Sequence, residues 1–342
     1  MAAPTNKSVA ALLAMAEELG VSIEELAAAA ADTSSPVQMT IAGYLPSVDA
    51  ATSQGARDTY QTYWRRLVVE MGDRHISAVK TSELRAFVNA TRTNAIVRAN
   101  SRHGISAQEN CVGALRAFFR VAVEDGYITK NPMEGIEKPS RLPSRRRFFS
   151  DAEVAEIYAV TMNGGNDPAL DTLLLRFHLE TGARRAGALS LRVRDLDLSR
   201  QCLRLREKNH KERWQPVSRT LLDALVAHAE VRGAQDPEDA VFRQLPARGV
   251  TVGAPMTRRR YNTLVARWGR SIPWVKELGV SIHWCRHHAT SCIERIAGLA
   301  VARAFAGHTE GREVTLTYTS ASFQEVARAV AIYTGEPHPD AE

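Results

Sequence analysis

Cysteine is scarce in this chain. Four occur among 342 residues, Cys111, Cys202, Cys285 and Cys292, and none stands at the paired spacing of a metal cluster or a disulfide framework. Their scatter excludes a disulfide-stapled secreted scaffold and points to reduced thiols in a cytoplasmic protein. Long apolar runs are missing too: nothing approaches the roughly 18–20 residues that cross a bilayer. The N-terminus has no basic segment followed by an apolar stretch and a cleavage site, so no secretion leader is expected. There is no internal repeat, and the only low-complexity tract is the alanine run at residues 27–31. What is present is length enough for two domains and an excess of positive charge. Lys and Arg number 44 against 38 Asp and Glu, a net of +6. Such a moderate excess fits a nucleic-acid partner and does not require one.

Residues 7–32 read as two short helices parted by Gly20-Val21, with Ser22 and Glu25 spaced as a capping box. The pair is acidic and Ala-rich, which suits helical packing or oligomerisation better than phosphate binding, where Lys and Arg are needed. A looser segment follows at 33–46. From about 51 to 131 the apolar spacing is helical. Tyr60, Trp64, Leu67 and Met71 recur at three and four, with Arg57, Arg65 and Arg66 interleaved. A second helix is predicted over 81–98. Ser106 and Glu109 are spaced to cap a third, whose stripe of Val112, Leu115, Phe118 and Phe119 stops before Gly126. Residues 130–147 form a linker with three prolines and the run Arg145-Arg146-Arg147. That composition suits a strap along a phosphate backbone and a solvated tether equally.

Ser150 and Glu153 open a new helix as a capping box. Pro168 fits a first helical turn, and residues 170–181 are apolar enough for a buried helix ending at Gly182. Residues 202–206 alternate as a half-buried strand does, 207–212 are polar turn material, and 214–217 can return as a second strand. After a loop-rich passage at 233–256, Arg258, Arg259 and Arg260 begin a helix through Tyr261, Leu264, Val265 and Trp268. Three arginines at a helix start are suited to phosphate contact.

The chemistry gathers near the C-terminus. His283 and Arg286, three apart, share one helix face. His308 follows Gly307 after an apolar run, and Tyr318 comes ten residues later in a Thr/Ser-rich turn. Ser322 and Glu325 then cap a last helix. A guanidinium offers a donor fork to phosphate, an imidazole moves protons near neutrality, and a phenol is a nucleophile that needs help. His283 and His287 also have a zinc-like spacing. However, Trp284 stands where a metalloprotease has glutamate, and no third ligand is evident.

His283-x-x-Arg286-His287, Ala306-Gly307-His308 and Thr317-Tyr318-Thr319 together resemble the C-terminal signature of the tyrosine recombinase (phage integrase) family. Upstream, Thr181-Gly182-Ala183-Arg184 resembles that family's first arginine motif. The run Glu207-Lys208-Asn209-His210-Lys211-Glu212-Arg213 resembles its lysine hairpin, with Glu207 and Asn209 in place of two glycines. Gly187 stands where the family usually carries an acidic residue that braces the site.

The resemblance implies a mainly helical, two-lobed clamp. An N-terminal helical extension (1–36) would precede an all-helical, SAM-like core-binding domain (37–140). A mainly helical catalytic domain (141–342) would follow, with a small antiparallel sheet near 201–217. The implied activity is site-specific cleavage and rejoining of DNA through a 3′-phosphotyrosyl intermediate. Tyr318 would attack, while Arg184 and Arg286 neutralise the phosphorane-like charge. Lys208 would protonate the departing 5′-oxygen, His283 would take or hold the tyrosine proton, and His308 would donate to a non-bridging oxygen. The covalent link stores the broken bond, so no cofactor or metal is required. The implied partners are double-stranded DNA at specific sites and three further copies of the chain in a synaptic tetramer, with no membrane. DNA contacts are expected at Arg57, Arg65, Arg145, Arg146, Arg147, Lys211, Arg258, Arg259 and Arg260. The last helix carries an apolar face, Phe323, Val326, Val330 and Tyr333, expected to dock on a neighbouring protomer; the alternative is that it folds back on its own domain. Two other readings stay open: a type IB topoisomerase-like enzyme, and a catalytically weakened DNA-binding homologue.

Overall fold

The computed structural model describes residues 15, 20–22, 24, 39–96, 102–140, 147–206, 212–307 and 321–341. They fall into two units, Met1–Leu142 and Pro143–Glu342. The helix pair expected within residues 7–32 lies largely outside the described residues.

Among the described residues the first unit is built on four α-helices: α1 (Ile41–Ala51), α2 (Gln54–Met71), α3 (Thr81–Thr93) and α4 (Ile105–Glu124). Helix α1 occupies part of the stretch expected to be loose, and it does so with Pro46 inside it. An interior proline costs about 3 kcal/mol. Burying Ile41, Tyr44 and Val48 on one face offsets that, at roughly 1.5–3 kcal/mol per large apolar side chain. Thr40 caps the helix by accepting from Gly43 N at 3.1 Å. Trp64 and Leu67 of α2 are fully buried against α4, and Trp64 Nε1 donates to Ala114 O at 2.8 Å. Helix α4 departs from expectation at its start. Gly104, at φ +82°, is the N-cap, so Ser106 lies inside the first turn and caps nothing. Helix α3 ends at Thr93, short of residue 98.

The second unit contains α5 (Asp151–Met162), α6 (Pro168–Thr181), α7 (Arg185–Ser190), β1 (Leu196–Asp197), β2 (Cys202–Arg206), β3 (Glu212–Pro216), α8 (Arg219–Val231), α9 (Arg258–Ser271), α10 (Pro273–Leu278), α11 (Ile282–Phe305) and α12 (Phe323–Thr334). The sheet is antiparallel in the order β1-β2-β3, with Leu205 opposite Arg213 and Leu203 opposite Gln215. The mainly helical architecture with a small antiparallel sheet is thus the one the sequence predicts. Ser150 and Ser322 each form the reciprocal capping box with Glu153 and Glu325.

Helix α6 runs through the core, with Leu170, Leu174, Leu175 and Phe177 fully buried. It stops at Gly182, where φ is +59°, and glycine is needed there twice over, because a Cβ would also sit 2.7 Å from Phe305 Cε1. Three buried aspartates pin the surrounding frame. Asp167 takes Arg232 in a two-pronged pair at 2.8 and 2.9 Å. Asp171 takes Arg260 and Arg267, each at 2.6 Å. Asp195 takes Arg204 and Arg206.

Helix α12 corrects one expectation. Its Val326, Ala329 and Val330 join Ala289, Ile293, Val301, Ala302 and Phe305 of α11 in one apolar cluster. Tyr333 Oη donates to Leu179 O at 3.0 Å. The apolar face folds back on its own chain; it is not left for a neighbouring protomer. Beyond it, Glu336 accepts from Thr220 N at 3.0 Å, fastening the tail to α8.

Candidate active site

The turn from Thr181 to Arg184 is held by a series of hydrogen bonds. Gly182 N donates to His178 O at 3.1 Å and Ala183 N to Thr181 Oγ1 at 3.2 Å. Gly182 O accepts from Arg286 Nη1 at 2.6 Å, and Ala183 O lies 2.9 Å from His178 Nδ1. Gly187 N then closes on Arg184 O at 2.9 Å, starting α7 with Arg184 as its N-cap.

His178 is fully buried, and its Nε2 sits 2.8 Å from Tyr261 Oη. Burial pushes this imidazole down to about 4 despite the bond to Ala183, and the positive charges of Arg185 and Arg286 push the same way. The ring is therefore neutral. A carbonyl can only accept, so Nδ1 carries the hydrogen and Nε2 accepts from the Tyr261 hydroxyl.

Three arginines lie within one another's field. Arg286, only 4% exposed, donates to Gly182 O and, through Nη2, to Ala306 O. Burial pulls its guanidinium down to about 9, with Arg184 and Arg213 adding repulsion; it stays protonated at neutral pH. Arg184 is half-buried, and burial lowers it as well. Arg213 comes from β3 and donates to Gln215 Oε1. It is lowered by burial and then by Arg184. Residues directly opposite in an antiparallel pair share a sheet face. Arg213 therefore emerges beside Leu205, whose Cδ2 lies 3.4 Å from where a Cβ of Gly187 would be. Gly187 is buried with room for a small side chain, and the strand opposite it delivers a cation. Sequence motifs single out Arg184 and Arg286; Arg213 ends the run that resembles the lysine hairpin, and the strand register is what places it beside Leu205.

His283 is half-buried and meets His287 edge-on, ring centroids 4.9 Å apart. His288 faces elsewhere. Its Nδ1 accepts from Phe149 N at 3.1 Å, and its ring stacks on Phe149 at 5.5 Å. It anchors the segment leading into α5. Lys208, Lys211, His308, Tyr318, Arg145 and Arg146 lie outside the described residues. Among the described residues, no cluster of three His, Cys, Asp or Glu could hold a metal, and no helix is long and apolar enough to cross a membrane.

The remaining arginines separate. Arg258 and Arg259 are exposed, as is Arg65 of the first unit, while Arg57 is half-buried. Arg147 makes a bidentate pair with Glu153 at 2.7 and 2.5 Å. Arg260 departs from the expected phosphate grip. Its guanidinium is held by Asp171, Asn166 Oδ1 and Asp167 O, which leaves no fork for a phosphate. Glu180, buried next to the Thr181–Arg184 turn, faces α8 and accepts from Ser218 N at 2.5 Å.

A sequence model of the phage integrase family matches residues 147–325, more than half of the chain. Tyrosine recombinase XerC of Actinobacillus pleuropneumoniae is 25% identical over 281 residues, covering 80% of this chain and 87% of that protein. XerC of Shewanella oneidensis is 28% identical over 225 residues, 64% of this chain and 68% of its own. A crystal structure of a lambda integrase tetramer bound to a Holliday junction shares the fold with a TM-score of 0.64 at 15% identity, over 92% of this chain and 90% of that one. The Tn1549 transposon integrase in complex with circular intermediate DNA gives 0.60 at 18% identity, over 85% and 98%. The matched span takes in the Thr181–Arg184 turn, the β2–β3 hairpin and all of α11, and the chain belongs to the phage integrase family of tyrosine recombinases.

Proposed function

We propose that this tyrosine recombinase cleaves and rejoins double-stranded DNA at specific sites through a 3′-phosphotyrosyl bond to Tyr318. One observation carries the assignment of the phosphate site: the carbonyls of Gly182 and Ala306 hold the buried Arg286 in place, Gly182 belongs to the turn that ends in Arg184, and Arg184 and Arg213 are the like-charged neighbours of Arg286. Such a site favours an anion whose charge grows during reaction. Tyr318 attacks the scissile phosphorus, and the pentacoordinate charge falls to Arg184 and Arg286, with Arg213 reinforcing them. Each preorganised donor of this kind is worth about 2.7–4 kcal/mol of barrier. His283 takes or holds the phenol proton, Lys208 protonates the 5′-oxygen as it leaves, and His308 donates to a non-bridging oxygen. The reverse attack by a 5′-hydroxyl reseals the strand.

Residues 141–342 form the catalytic domain in this reading, 37–140 a core-binding domain, and 1–36 an extension. Arg57, Arg65, Arg258 and Arg259 remain DNA contacts, as do Arg145, Arg146 and Lys211. Arg147 is divided between Glu153 and the backbone, and Arg260 belongs to the frame. The lambda integrase neighbour is a tetramer on a Holliday junction, which supports a homotetramer as the synaptic form. The chain would act in the cytoplasm, on the nucleoid.

The test uses a nicked suicide duplex made from inverted repeats in the DNA flanking the gene. Wild type yields a covalent protein–DNA band on a denaturing gel, in excess EDTA as well as without it. Tyr318→Phe keeps half-site binding and loses the band. A band that survives in Tyr318→Phe overturns the nucleophile. Relaxation of plasmid lacking any such repeat would favour the topoisomerase reading.

A further inference from the structure

Helix α6 is apolar through the core, yet one of its fully buried side chains is an imidazole. A leucine there would avoid the cost of burying two polar nitrogens. His178 has both of them engaged, Nδ1 with Ala183 O at 2.9 Å and Nε2 with Tyr261 Oη at 2.8 Å. The first partner is the carbonyl just before Arg184. The second is a buried tyrosine on α9, 83 positions downstream. The neighbouring carbonyl, Gly182 O, is the one that Arg286 holds at 2.6 Å. Two adjacent carbonyls of one turn are thus gripped by two side chains, one of which is itself a phosphate-site arginine.

We propose that His178 and Tyr261 form a positioning pair that fixes the Thr181–Arg184 turn and through it sets both Arg184 and Arg286 on the scissile phosphate. The proposal rests on the reading of those two arginines as the phosphate site. Tyr261 Oη orients the ring, and the ring's Nδ1–H fixes the Ala183 carbonyl. With that carbonyl released, the peptide linking Ala183 to Arg184 is free to rotate. Arg184 then loses its N-cap geometry, and Gly182 O shifts under Arg286. Burial, helped by the positive charge of Arg185 and Arg286, keeps the ring neutral, so it can donate at one nitrogen while accepting at the other.

Three variants test this on the nicked duplex. The duplex is made twice, once with an ordinary scissile phosphodiester and once with an uncharged methylphosphonate in its place. His178→Leu removes both hydrogen bonds, and it should slow covalent-complex formation on the phosphodiester about 100-fold, the scale of an ångström-sized misplacement. On the methylphosphonate, where arginines have less charge to neutralise, the deficit should shrink to about 3-fold. Half-site binding should hold on both. His178→Asn, whose Nδ2 can reach Ala183 O, should recover most of the loss. Tyr261→Phe should slow the phosphodiester about 5-fold and leave the methylphosphonate rate alone, since only ring orientation is relaxed.

Equal deficits on the two substrates would mean general damage to the fold and would overturn the proposal. So would a wild-type rate in a natively folded His178→Leu. If His178→Leu does not fold, Tyr261→Phe decides: a wild-type phosphodiester rate, or equal slowing on both substrates, overturns it. Failure of the broader reading looks different, because wild type itself would then form no covalent complex.

Discussion

Arginines in the second unit keep two kinds of company. Arg232, Arg260, Arg267, Arg204 and Arg206 each meet an aspartate that is 3% exposed or less. Arg286 is as deeply buried as any of them, but its hydrogen bonds go to the carbonyls of Gly182 and Ala306, and its charged neighbours are Arg184 and Arg213. The difference separates architecture from chemistry. A carboxylate offsets the charge it fixes, one for one at Arg232 and in part where Asp171 and Asp195 each serve two arginines, so the first group contributes mainly geometry. A carbonyl fixes a guanidinium and leaves its charge in place. The like charges of Arg286, Arg184 and Arg213 repel one another, and an anion placed among them would relieve that repulsion.

The sharpest way to break this comparison is to neutralise a frame aspartate. Asp171→Asn leaves Arg260 and Arg267 short of a buried counter-charge, and unfolding free energy should fall by about 3–5 kcal/mol. Chemical denaturation reads the loss, while cleavage per folded molecule stays near wild type. A cleavage defect with unchanged stability would place Asp171 in the chemistry.

Arg286→Lys is the converse. An ammonium keeps the charge and cannot span two carbonyls as a planar fork does. Covalent-complex formation should fall by about 2.7–4 kcal/mol of barrier, with a smaller loss of stability than Asp171→Asn. A rate within threefold of wild type, measured by quenched time course, would show that the fork is unnecessary.

Arg213→Gln is expected to be milder. Cleavage should slow about 10-fold, or about 1.4 kcal/mol. Stability should hold or rise, because Arg184 and Arg286 lose a like-charged neighbour. A marked loss of stability would move Arg213 into the frame group.

Acid separates the buried imidazole from the frame aspartates by pH. His178 lies at about 4 folded against 6.5 unfolded, so the unfolded chain binds the extra proton between those values. Stability present above pH 6.5 is lost as pH falls toward 4, by at most about 1.4 kcal/mol per unit. Asp167 and Asp195, despite their burial, are held below the ordinary 3.8 by Arg232 and Arg206. Their contribution persists above pH 3.8 and is lost only below it. Urea titrations from about pH 7.5 to 5 should show a slope that His178→Asn reduces and Asp195→Asn does not.

Local signals are legible in the sequence; distant partners are not. Ser150 with Glu153, Ser322 with Glu325, Pro168 at a first turn and Gly182 at a helix end all act within four residues, and the structure forms each of them. Strand β2 spans Cys202 to Arg206 as expected, and its burial alternates from Leu203 onward. Helix α1 is hidden because Pro46 forbids by local rule what burial of Tyr44 and Val48 enforces. Ser106 misleads because Gly104 turns the chain first. In the site, Arg184, His283 and Arg286 stand out by motif. Placing Arg213 needs the β2–β3 register, and the His178–Tyr261 pair needs a contact across 83 positions that no periodicity announces.

The two carbonyls that hold Arg286 also set a timetable. One comes from 104 positions upstream and the other from 20 positions downstream. A ribosome delivers Gly182 long before either Arg286 or Ala306. A nascent chain, or one clipped ahead of Ala306, carries Arg184 on a turn whose clasp, Arg286, still lacks one of its own two holds. The setting of the two arginines therefore waits until Ala306 has been made.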